Sequence, residues 1–432
     1  MSGSTRTTMP GSERHLVDGH DLSAVKERFP LLQREIDGAP IHYLDSANTS
    51  QKPVEVIDAM TEFTKTSYAP INRSAYRLAA EATDAYESAR AKVARFVNAP
   101  SPDEIVFTKN ATEALNLVAQ SWGGAHLGPG DVVVLTHMEH HANIVPWHIM
   151  AARRGIELRW VPLTDDGELD LSELDRLLEG AKVFGFTAMS NVLGTITPVA
   201  ELCAAAHAAG ALAVVDACQY VPHNVTDVQA WDADFAAFSG HKMCGPSGIG
   251  ALWGRAELLD DTPPFLGGGN MIADVRLDGY TAAPVPAKFE AGTPPIVEAI
   301  GFGAAVDFLT AIGMELVHAH ERELTAYALS TLADRFGDDI RLHGPANPAL
   351  RGGVLSFAFR DLHPHDVSQV LDQANVCVRA GHHCAKPLMR VLDVAATVRA
   401  SWYLYNDRDD IDAMADALDG ASDIFGFPPT RS

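Results

Sequence analysis

The chain has 432 residues and carries 33 basic against 56 acidic side chains, a formal charge of -23. It is long enough for a large core split over two lobes, and its acidity argues against nucleic acid and anionic membrane as partners. Its five cysteines (Cys203, Cys218, Cys244, Cys377, Cys384) are scattered, odd in number and without a C-x-x-C pair. Neither a disulfide framework nor a metal site is indicated, and a reducing cytoplasm fits.

The first residues, MSGSTRTTMPGSERH, are polar and lack the apolar core of a secretory signal, and no apolar run is long enough to span a membrane. A disordered tail is expected over 1–22. Ser23–Arg34 reads as a short helix stopped near Pro30, and Ile41–Asp45 as a small strand. Val54–Thr66 and Ala79–Phe96 carry helical spacing of apolar residues. Strands and helices then alternate. Strands are expected at Ile105–Phe107, Val132–Leu135, Glu157–Pro162, Val183–Ala188, Ala211–Val215 and Phe235–Phe238, with a further apolar run at Ile249–Trp253. Helices are expected at Thr112–Trp122, Ile144–Arg154, Leu171–Leu178 and Ala200–Ala209. Apolar strands separated by helices predict an α/β fold, a mostly parallel sheet covered on both faces. A long helix, Ile296–Ile312, leads to a second lobe with a helix near Leu316–Phe336, strands Leu355–Phe359 and Val376–Arg379, and C-terminal helices.

In such sheets ligands sit at the carboxyl ends of the strands. Asn191, Asp216 and the run Ser239-Gly240-His241-Lys242 all fall there, so they should converge on one rim. A buried Lys242 loses its preference for the ammonium form and becomes an amine nucleophile, whereas a solvated one is an ordinary loop lysine. Asp216 suits a protonated pyridine nitrogen, or equally a helix cap. Thr112 at a helix start fits an anion and also simple capping. Of the tandem His140 and His141, one imidazole is expected to stack on a planar cofactor. No third ligand accompanies them for zinc. Cys384 lies in a loop beside Arg379, His382, His383 and Lys386, cations that favour a thiolate. Arg399 has the planar fork that suits a carboxylate.

Taken together, FSGHK, VVDACQ, TEALNLVA, MEHHANIVPW, SNVLGT, FEAGTP and RAGHHCA resemble a fold-type I enzyme dependent on pyridoxal 5'-phosphate (PLP). More closely they resemble the group II (SufS-type) cysteine desulfurases and selenocysteine lyases of the class V aminotransferase-like group. The resemblance implies a large domain over 41–300 with a mostly parallel seven-stranded sheet, and a smaller α+β domain over 301–432 carrying the cysteine loop. Residues 23–40 would pack on that smaller domain. It implies Lys242 as the PLP lysine, Asp216 on the ring nitrogen, Gln219 on the ring hydroxyl and His140 on the ring face. Thr112, Ser239 and His241 would hold the phosphate, with Thr293 arriving from the second subunit of a homodimer. Asn191, Arg399 and Arg379 would hold the substrate carboxylate, and Cys384 would take the sulfur of L-cysteine as a persulfide. That sulfur would pass to a SufE- or SufU-like acceptor protein for iron–sulfur cluster assembly, with His365 meeting the acceptor. Asn72-Arg73-Ser74-Ala75-Tyr76 departs from the family's rim sequence, Ala111 from a second threonine, and Pro295-Ile296-Val297 from smaller polar residues. Selenocysteine lyase or a specialised C–S lyase is the alternative enzyme, and a non-catalytic assembly subunit the alternative class.

Overall fold

The computed structural model describes residues 16–17, 20–72 and 74–425, so most of the expected tail lies outside the described residues. The central sheet has seven strands. In spatial order they are Ile105–Thr108, Gly250–Gly254, Phe235–Ser239, Leu212–Asp216, Ala181–Thr187, Val132–Thr136 and Glu157–Val161. Every pairing is parallel except the two that Gly250–Gly254 makes. Successive side chains alternate between two apolar cores. Val134, Phe184, Val215 and Ala236 enter one core with Val93 and Phe302, while Val133, Val183, Val214 and Phe235 enter the other with Leu115 and Trp147. That is why these strands read as unbroken apolar runs.

Ile296–Ile312 is apolar over most of its surface because it packs against the helices Val54–Thr66 and Arg77–Phe96, leaving Asp307 and Thr310 exposed. A Cβ on Gly303 would stand 2.9 Å from the Ala89 Cβ, so the close approach of these helices requires glycine there. Among the described residues no single helix is long and apolar enough to cross a membrane. Met314–Phe336 follows and leads into an antiparallel sheet ordered Ile340–His343, Val354–Phe359, Thr397–Ser401, Arg379–Gly381. Helices Pro364–Gln373 and Arg408–Ile424 cover one side of it in a core containing Leu355, Phe357, Val370 and Met414. From the same sheet the Ser356 hydroxyl donates to the Val192 carbonyl at 2.7 Å, tying it to the rim of the large sheet.

Two local expectations are corrected, and one element is added. Ser23–Arg34 is a single helical turn, Ser23–Lys26, and a separate 3₁₀ turn, Pro30–Gln33. Pro30 has no N–H and holds Phe29 extended. The expected strand Val376–Arg379 divides at Val378. Val376–Cys377 pairs with His42–Tyr43, while Arg379–Gly381 pairs with Thr397–Ser401. A hairpin, Ile272–Arg276 with Gly279–Ala282, has no counterpart among the expected elements, since its strands are largely exposed and carry no core-facing pattern.

Glu290 anchors the segment that carries Thr293. It accepts from both Arg90 Nη atoms at 2.7 and 2.9 Å, from the Phe107 N–H at 2.8 Å and from the Tyr86 hydroxyl at 3.2 Å. Removing one partner of a buried ion pair strands the other charge. Glu290→Ala is therefore expected to destabilise the fold by about 3–5 kcal/mol, read as a lower midpoint of chemical unfolding.

Candidate active site

The strand register sets the site. Thr187 is level with Asp216 on adjacent strands, and Phe235–Ser239 runs parallel beside them. The chain leaves these strands on the same side, so Asn191, Gln219, His241 and Lys242 follow at one rim. A cavity of about 200 Å³ opens there. Lys242, Asp216, Gln219, Ser239, His241, His140 and Thr112 line it from the large sheet's loops, as does Asn191. Arg379, Cys384 and Arg399 close it from the second sheet. Thr293 does not reach this cavity and lines a separate cleft with Lys109 and Glu298. Asn72, Ser74, Ala75 and Tyr76 are exposed and none lines the cavity, and Arg73 lies outside the described residues.

Local chemistry explains each placement. The helix expected to begin at Thr112 begins at Ala111. Asn110, in extended backbone, caps it by accepting the Glu113 N–H at 3.0 Å, and the Ala111 N–H donates to Ser239 Oγ at 2.9 Å. Thr112 is thus inside the first turn rather than the cap. His140 and His141 diverge as adjacent positions should. His140 lines the cavity, while the His141 N–H donates to the Cys384 carbonyl at 2.7 Å and its Nε2 accepts the Lys386 N–H at 2.9 Å. His383 and Cys384 both adopt left-handed backbone, φ 50° and 56°. Non-glycine residues enter that region at a cost. The His141 bond and a 2.7 Å bond from Asn191 Nδ2 to the His383 carbonyl hold them there.

Burial dominates the electrostatics. The Asp216 carboxyl is pushed above its usual range by burial, against the Cys218 N–H at 3.1 Å and the charge of Lys242. Burial, with Lys242 and other cations, lowers His140 to about 3, and its Nδ1 accepts the Ala142 N–H at 3.0 Å. A neutral ring so engaged carries its proton on Nε2. His241 is lowered to about 4 by burial and by Lys242 and Lys52. Arg399 is 1% exposed, with its charge disfavoured by burial. Its Nη2 pairs with Asp45 Oδ1 at 3.1 Å and its Nη1 donates to the Asn191 carbonyl at 3.0 Å.

Two lining residues, Asn48 and Cys218, belong to no motif that marks them in the sequence, and Asp45, the end of an expected strand, meets Arg399 without lining the cavity. Cys218, one of the scattered cysteines, lines the cavity with its thiol 3.4 Å from Ser239 Oγ. The usable signal was position, since each follows a strand that ends at this rim.

The Aminotransferase class-V family profile matches residues 42–414. A probable cysteine desulfurase of Streptomyces coelicolor is 51% identical over 94% of this chain and 98% of its own length. A cysteine desulfurase of Dickeya dadantii is 48% identical over 93% and 97%. Among solved structures, a cysteine desulfurase from Thermococcus onnurineus NA1 superposes with TM-score 0.88 at 38% identity, over 94% of this chain and 98% of that one. The Escherichia coli cysteine desulfurase CsdA gives 0.86 at 37%, over 94% and 99%. The chain belongs to the class-V aminotransferases, among their cysteine desulfurases.

Members of this family use PLP, and the cavity of this cysteine desulfurase homologue fits it. A buried Asp216 carboxyl calls for a cationic partner such as a protonated ring nitrogen. Gln219 donates through Nε2 to the Ala47 carbonyl at 2.7 Å, while its Oε1 is buried with no protein partner, as is Arg399 Nε. Buried polar atoms are normally satisfied, so both call for ligand groups.

Beneath the cavity Glu139 is fully buried. It accepts from the Thr136 hydroxyl at 2.5 Å, Asn143 Nδ2 at 2.8 Å and the Thr187 N–H at 2.9 Å, and burial still pushes it up to about 8. A carboxyl whose pKa rises on folding loses stability as pH climbs from its unfolded value through its folded one. Between pH of about 4.5 and 8 the wild type should therefore lose more thermal stability than Glu139→Gln, which cannot ionise. Melting temperatures of both proteins across that window check this.

Proposed function

We propose that this chain is a PLP-dependent cysteine desulfurase that converts L-cysteine to L-alanine through a persulfide on Cys384. The observation that carries the reading is that Lys242, from a loop of the large sheet, and Cys384, from a loop of the smaller one, open onto one cavity with Asp216 at the end of a strand. Lys242, Asp216, Gln219 and His140 would hold the cofactor ring, and Thr112, Ser239 and His241 its phosphate. When bound, PLP supplies an electron sink for charge developing at Cα of an amino acid.

The chain's own residues do the rest. Lys242 would anchor the cofactor and then, as a free amine, take and return the Cα proton. Asn191 and Arg399 would receive the substrate carboxylate, which competes with Asp45 for the guanidinium. His140, neutral at working pH, would cover the ring and offer Nε2–H. The Cys384 thiolate would attack the cysteine sulfur. An S–S bond forms as the C–S bond breaks, and the electron pair stays with the carbon fragment, which is protonated and leaves as alanine.

Three finer parts complete the proposal. The enzyme acts as a homodimer in which Thr293 serves the partner's phosphate site, consistent with its distance from its own cavity. The persulfide passes to a SufE- or SufU-like acceptor in the cytoplasm for iron–sulfur assembly. His365, exposed at the start of helix Pro364–Gln373, lies where an acceptor could reach it.

The test is turnover of PLP-loaded protein with L-cysteine and reductant, assaying alanine and sulfide together. Equal amounts are expected from the wild type, and a loss of at least about a hundredfold from Cys384→Ala, the scale on which essential nucleophiles act. Cys384→Ala releasing both products at the wild-type rate would sink the persulfide route. Retained activity on selenocysteine alone would favour the lyase alternative.

A further inference from the structure

Asn48 sits at the cavity mouth and joins its two arginines. Its Oδ1 accepts from Arg379 Nη1 at 3.2 Å, and Arg379 Nη2 lies 3.7 Å from the Cys384 sulfur. Its Nδ2 donates to Asp45 Oδ2 at 3.1 Å, and Asp45 Oδ1 holds Arg399. These partners settle which way the amide points. A carboxylate only accepts and a guanidinium only donates, so the Asn48 nitrogen must face Asp45 and its oxygen must face Arg379. The loop beneath is fixed in turn. The Ser46 N–H donates to the Ser401 carbonyl at 3.2 Å, the Ala47 N–H to Ser401 Oγ at 2.9 Å and the Asn48 N–H to the Asp45 carbonyl at 3.0 Å.

We propose that Asn48 is a positioning residue for the sulfur-accepting thiol: it holds the Arg379 guanidinium against Cys384. This rests on the desulfurase reading for its purpose, though not for its geometry. Arg379 is half-buried and reaches the cavity on a long, flexible stem. Without a fixed acceptor on Nη1 that stem has other rotamers open to it, and time spent in them is time away from the sulfur. Asparagine suits the place because its separate amide oxygen and nitrogen offer an acceptor to Arg379 and a donor to Asp45 from two different atoms. Alanine would release Arg379, and aspartate would set a second carboxylate against Asp45.

The experiment is site-resolved alkylation of the PLP-loaded protein by iodoacetamide without cysteine, following the Cys384 peptide by mass spectrometry at fixed neutral pH. Asn48→Ala is expected to slow Cys384 alkylation about three- to tenfold, the equivalent of one ordinary hydrogen bond. Arg379→Met should slow it at least as much, and adding Asn48→Ala to Arg379→Met should change nothing further. An unchanged rate in Asn48→Ala overturns the proposal, as does a second, additive loss in the double variant, which would mean Asn48 acts elsewhere. Melting temperature and the cofactor's visible band, unchanged in Asn48→Ala, separate positioning from misfolding, and their loss together with the thiol's reactivity would also count against it. Because alkylation needs no turnover, failure of the desulfurase reading would show only in the wild-type assay with L-cysteine.

Discussion

The Arg399 guanidinium is the junction on which the site depends. It rises from a central strand of the smaller sheet, meets Asp45 from the N-terminal segment and reaches the Asn191 carbonyl beyond a strand of the large sheet. Three parts of the chain thereby meet around one charge. Taking that charge out of water costs several kcal/mol or more, and the single partly exposed carboxylate of Asp45 offsets only part of it. Hydrophobic packing could have joined these elements with less penalty. The buried cation, with one nitrogen lacking a protein partner, is better understood as a prepared site for an anion.

Around this junction the cavity holds neutral and charged groups in separate places. Burial keeps His140 and His241 uncharged, while Arg379 and Arg399 bring guanidinium groups from the smaller sheet. The His241 carbonyl is pinned by the Ser50 N–H at 3.0 Å, the Thr49 hydroxyl at 3.0 Å and the Ser50 hydroxyl at 3.1 Å, with the Lys52 ammonium at 3.3 Å. The peptide that carries Lys242 is therefore fixed from the N-terminal loop. Burial lowers Lys52 itself to about 8.

The cysteine loop shows the same economy on the other side. Two successive left-handed residues would relax in isolation. They persist because one donor from the His140–His141 segment and one from Asn191 each capture a carbonyl. Closure of the smaller sheet onto the large one and the backbone shape at Cys384 are thus one event.

Much of this was legible in the residues. The apolar runs marked the strands because both faces of the sheet are covered, and the polar residues after them marked the rim because a parallel sheet brings its strand ends together. Lys242, Asp216 and Cys384 could be found by type and position. The roles of Asp45 and Asn48, the entry of Cys218 into the cavity and the split at Val378 could not. Each depends on which distant segment lies alongside: Ser401 beside Ser46, His42 beside Val376, Ser239 beside Cys218. Local sequence determines period, burial and turn chemistry, since these act over a few residues. Pairings between segments brought together from different parts of the chain, and the orientation of an amide caught between a carboxylate and a guanidinium, exist only once the chain has closed.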